Sequence, residues 1–100
     1  MTKVSLRVLA EQDLINIWLY SFHTWGEAQA DLYFDRLSNA IELLQRTPLM
    51  GAERHEFTPP VRIHHHASHL IIYVIDEAGI DVIRVLHASM DVDSQLEERL

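Results

Sequence analysis

A chain of 100 residues, 48% of them hydrophobic, has room for one compact domain with one core and is too short for two, so residues 1–100 read as a single domain. Fifteen acidic against eight basic side chains leave a formal charge of -7, which excludes a broad electrostatic footprint for nucleic acid or anionic membrane, and no direct DNA binding by the chain alone is expected. The absence of cysteine excludes disulfides and thiolate zinc sites; with no membrane-length apolar run and no signal-like start, a cytoplasmic protein is expected.

Val4, Leu6 and Val8 alternate with Lys3, Ser5 and Arg7, the period of a half-buried strand. From Ala10 to about His23 the period lengthens: Leu14, Ile17, Trp18 and Ser21 share a helical face, and Glu11 and Asp13 fall where the macrodipole favours acids. Thr24 and Glu27 have capping-box spacing, which predicts a second helix running to about Arg46, with Ala30, Phe34, Leu37, Ile41 and Leu44 facing inward. Thr47-Pro48 stops it.

Residues 48–60 hold all three prolines and read as a connecting segment. Three strands follow, over Val61 to His66, His69 to Ile75 and Ile80 to His87, the last two joined by the hairpin connection Asp76-Glu77-Ala78-Gly79. The order β-α-α-β-β-β predicts an α+β fold, with a helical hairpin packed on one face of a small antiparallel sheet. The run Leu70 to Ile75 is apolar at every position and asks for cover on both faces, which two helices on one side do not supply. A weak helix or a mobile tail is expected over Asp91 to Leu100.

The run Ile80 to Asp91 carries the densest chemistry. Arg84 inside a β-branched strand is costly to bury alone, so it is expected to face solvent, a partner or a carboxylate such as Asp81 or Glu56. His87 either ends the strand with a hydrogen bond or works in a site. Seven of the eight cations are arginines, suited to bidentate pairing with carboxylates, which favours an acidic protein partner. His64, His65, His66 and His69 form an internal cluster. His64 and His66 share a strand face and are weak metal candidates, two ligands making a poor site. A second consequence is pH-sensitive partner binding, because neighbouring imidazoles repel one another once charged.

The helix junction Trp25-Gly26 with Gln29-Ala30, the loop residues Pro48, Gly51 and Arg54, and the ending Arg84-Val85-Leu86-His87 with Met90-Asp91 together resemble the ParE branch of the RelE/ParE superfamily of plasmid stabilisation toxins, over almost the whole chain. The resemblance implies the toxin of a type II toxin–antitoxin system, neutralised by a ParD-like antitoxin in a hetero-oligomer, a heterotetramer being expected. It implies a toxin that inhibits DNA gyrase and arrests growth without being an enzyme or needing a cofactor. Arg54, Arg62, Tyr73, Arg84, His87 and Met90 are the expected contacts for antitoxin or target. The RelE-like branch instead cleaves messenger RNA on the ribosome. On that alternative Arg62 and Arg84 would meet the phosphate and His87 would move the proton, but Met90 and Asp91 stand where such a relative places a cation or proton donor. An inactive relative that only binds antitoxin is the third alternative.

Overall fold

The computed structural model describes residues 3–97; the last three positions of the expected tail lie outside them. The described order is β1 (Lys3–Leu6), α1 (Val8–Trp25), α2 (Glu27–Arg46), a 3-10 turn (Pro48–Met50), β2 (Ala52–Arg54), β3 (Val61–His66), β4 (His69–Ile75), β5 (Gly79–His87) and α3 (Val92–Glu97). One sheet runs β1-β5-β4-β3-β2. Strands β2 to β5 pair antiparallel, as the meander requires.

Strand β1 instead lies parallel to β5, with Lys3 opposite Gly79 and Leu6 opposite Val82, so the sheet is mixed rather than antiparallel throughout. Gly79 permits this approach: its φ is +149°, and a Cβ there would collide with the Lys3 backbone. The connecting segment also holds more order than its prolines imply. Its 3-10 turn and the short edge strand β2 return the chain to β3.

Two local readings change. Helix α1 starts at Val8, so the strand alternation ends at Leu6 and Val8 is exposed on the first helical turn. Thr24 does not cap α2, because it is still inside α1. Gly26 makes the corner at φ +95°, donating its N–H to the Phe22 carbonyl (2.9 Å) and accepting from Ala30 N–H (3.0 Å). That backbone conformation is open to glycine and strained for threonine.

The sheet is covered on both faces. Ala10 and Leu14 of α1 and Leu37, Ile41 and Leu44 of α2 pack on Ile71, Tyr73, Ile80, Val82 and Val85. On the other face Val61, Ile63, Leu70, Ile72, Ile83 and Leu86 meet Leu96, with Phe57 and Val92 against them. The second cover that Leu70 to Ile75 demands therefore comes from the chain's own α3 and loop. Leu96 is fully buried, a contribution of about 1.5–3 kcal/mol from one side chain.

Candidate partner-binding groove

Between the closed end of the helical hairpin, around the Gly26 corner, and the ends of β4 and β5 lies a groove of about 970 Å³. Helix α1 contributes Asn16, Ile17 and Tyr20 and ends at Trp25; α2 contributes Tyr33; the sheet contributes His69, His87 and, just beyond β5, Met90. Tyr20 and Trp25 are 66% and 62% exposed and meet edge to face at 6.0 Å, while Met90 is 45% exposed across from them. Large apolar side chains held in water around one cleft mark a surface built for a partner.

The floor is polar but internally satisfied. His69 Nδ1 lies 2.6 Å from the Tyr33 hydroxyl and is hydrogen-bonded to it, the ring tautomer setting which of the two donates. Burial, followed by the neighbouring His87 and His66, pushes His69 below the ordinary histidine value. Burial likewise raises Tyr33 above the usual phenol value, keeping it protonated. His87 Nδ1 accepts the Ser89 N–H at 3.1 Å and lies 2.7 Å from the Ser89 hydroxyl, so the neutral ring carries its proton on Nε2.

Arg84 borders this groove without entering it. Opposite Ile72 and Tyr73 the strand bulges, pairing Ile72 with Arg84 and Tyr73 with Val82. Pairing with β1 stops at Val82, which leaves the edge of β5 open beyond it. Asp13 closes that edge: its carboxylate accepts Arg84 Nε (2.7 Å), Arg84 Nη2 (2.9 Å) and the Val85 N–H (3.0 Å). Arg84 Nη1 reaches Gln95 of α3 at 3.3 Å. One guanidinium thus ties the helices that cover opposite sheet faces. The Asp13 hydrogen bond, against the opposing effect of burial, raises the guanidinium above its already high value and keeps it charged. The expected partners do not serve Arg84: Asp81 pairs with Arg7 and Glu56 with Arg54.

The remaining candidates gather at the other end of β4. Tyr73, expected as a contact, has no exposed surface; its hydroxyl donates to the Pro48 carbonyl (2.6 Å) and accepts the Gly51 N–H (2.9 Å). Desolvation raises its pKa. Arg62 donates to the carbonyls of Leu49 (3.2 Å) and Gly51 (2.8 Å). Tyr73 and Arg62 therefore fix the loop from beneath. Arg54 stays partly exposed, bonded to Glu56 at 2.7 Å and lying over the Phe57 ring.

The trio needed for RNA cleavage is not assembled. Arg62 pairs with Tyr73 and His87 with His69, four residues apart along β4, or about 13 Å. Arg84 is committed to Asp13. Among the described residues no group of three His, Cys, Asp or Glu is arranged to hold a metal; His64 and His66 share a face as expected, without a third ligand. Sequence reading missed Tyr33, Tyr20 and Asp13 as site residues. The signal for Tyr33 was its place beside Ala30, Phe34 and Leu37 on the inner stripe of α2, where a phenol needs a partner.

A family model described as the ParE toxin of type II toxin–antitoxin systems, parDE, matches residues 4–92. Toxin ParE1 of Mycobacterium tuberculosis is 39% identical over 88 residues, covering 87% of this chain and 90% of the relative. Toxin ParE1 of Caulobacter vibrioides is 34% identical over 87 residues, with the same coverage. Among solved structures, a chain of the chromosomal ParDE system of P. aeruginosa superposes with a TM-score of 0.76 at 19% identity, over 87% of this chain and 96% of that one, a likeness of fold.

Proposed function

The chain belongs to the ParE toxin family of type II toxin–antitoxin systems, and from that premise we propose that a ParD-type antitoxin silences it by filling the groove between hairpin and sheet. The observation that carries this reading is the exposed rim of Tyr20, Trp25 and Met90 around a satisfied floor. A cleft rimmed by exposed aromatic and thioether side chains suits a protein segment. His87 and Met90 are the direct contacts on this reading, with Arg54 meeting a carboxylate of antitoxin or target. Arg62, Tyr73 and Arg84 hold the surface in shape from behind.

The free toxin acts by binding, and DNA gyrase is its target. Two toxins and two antitoxins form the silenced complex. Among the described residues no helix is long and apolar enough to cross a membrane, and the chain works in the cytoplasm. Purified toxin should inhibit supercoiling by gyrase, and pre-incubation with its cognate ParD-type antitoxin should restore it. Undiminished supercoiling with folded toxin in excess would reject the target. Growth arrest accompanied by transcript cleavage would replace it with the ribonuclease reading, and no arrest at all with an inactive relative.

A further inference from the structure

The strand register places His66 opposite His69 and His69 opposite His87, so three imidazoles cross three neighbouring strands on the sheet face that carries Ile71 and Val85. The His69 and His87 ring centroids are 5.4 Å apart, edge to face. Tyr33 leans over the row from α2, with its centroid 6.0 Å from His66 and 5.5 Å from His69.

The charged and titratable groups facing this ladder are few. From α1 come Asp13, already taken by Arg84, and Tyr20; from α2, Tyr33; from β3, His64 beside His66. Asp13 is the sole carboxylate among the described residues that line the groove. An imidazolium here has water as its main support, and a partner that removes the water leaves it without a counter-charge.

We propose that the ladder is a proton-sensitive seat for the antitoxin: the segment filling the groove lays an uncharged apolar side chain over His69 and His87, and its binding excludes the proton from the half-buried His69. This rests on the groove being the antitoxin site. Neutral imidazoles with Ile17, Tyr33 and Met90 around them form a floor that an aliphatic or aromatic side chain fits. Charged imidazoles form one that repels itself and resists drying. Binding is therefore tight at neutral pH and loosens as His69 charges.

The test is calorimetry of the full chain with its cognate ParD-type antitoxin between pH 7.5 and 5.5, in two buffers of different ionisation enthalpy so that proton release is counted. With His69 kept neutral in the complex, Kd should rise about 3- to 10-fold over that interval, with a proton released on binding. The rise should flatten in His69→Gln whatever that variant's absolute affinity. His65→Gln, on the exposed opposite face, should keep the full slope. A Kd constant within twofold overturns the proposal, as does an unchanged slope in His69→Gln. Tighter binding in acid overturns it too and places a carboxylate in the groove. Absence of binding already at pH 7.5 removes the antitoxin reading itself.

Discussion

Asp13 and Arg84, 71 residues apart, form a two-point carboxylate–guanidinium pair at the open edge of β5, and the same carboxylate holds the Val85 N–H. Each side chain is only slightly exposed, at 13% and 11%. Removing one partner strands the other in a poorly solvated place.

Asp13→Ala should therefore destabilise the free chain by about 2–4 kcal/mol, since it frees both Arg84 and a backbone donor. Arg84→Lys should lose much of the same stability, because an ammonium does not reproduce the paired geometry. Urea unfolding measures both. If either variant kept wild-type stability, the pair would not be holding β5.

The rim predicts the opposite pattern. Trp25→Ala and Tyr20→Ala should leave the unfolding midpoint nearly unchanged while weakening antitoxin binding by about 30-fold or more each, the scale of an aromatic hot spot. Titration of the antitoxin into each variant, beside a thermal melt, separates affinity from stability.

Tyr73→Phe should cost about 1–3 kcal/mol, because it leaves the Gly51 N–H and the Pro48 carbonyl without their partner in a closed site. The local readout is hydrogen exchange: the Gly51 amide should lose protection beyond what the global change explains. Equal protection in variant and wild type would remove the hydroxyl from the loop's support.

Ala67, in the turn between β3 and β4, has φ +51°, a left-handed conformation that a side chain makes costly. Ala67→Gly should add about 0.5–1 kcal/mol after glycine's greater freedom in the unfolded chain is deducted. At this chain length that corresponds to a melting point about 2–8 °C higher.

Stability should also fall in mild acid. His69 and His64 both titrate below the ordinary value of 6.5, each chiefly through burial, so between that value and their lowered ones the unfolded chain binds more protons. Their contribution is complete above pH 6.5 and is lost as pH drops through this window. Urea midpoints at pH 7.5 and 5.5 should differ in that direction, and by less in His69→Gln.

Both helices and the three-stranded meander were legible because their periods are long and their punctuation strong: Thr47-Pro48 ends α2, and Asp76 with Gly79 closes a hairpin. The parallel docking of β1 was not, since four alternating residues carry no mark of their neighbour's direction. Arg84 was visible as an anomaly, and its need for a carboxylate followed from desolvation. Which carboxylate it finds depends on a bulge and on where β1 ends, both of them tertiary facts. The groove was half legible: His87 and Met90 stood out at a strand's end, whereas Tyr33 sat unmarked in a helix stripe.

The pairing of β1 with β5 also sets a timetable. Arg7 and Asp81, paired at the end of β1, are 74 residues apart, so at about 5–20 residues per second a ribosome needs roughly 4–15 s to make the second after the first. During that interval α1 and α2 have emerged, but the sheet they cover has not been completed. The nascent chain thus shows its hairpin first and its finished groove last, and the groove is complete only once the final strand is made.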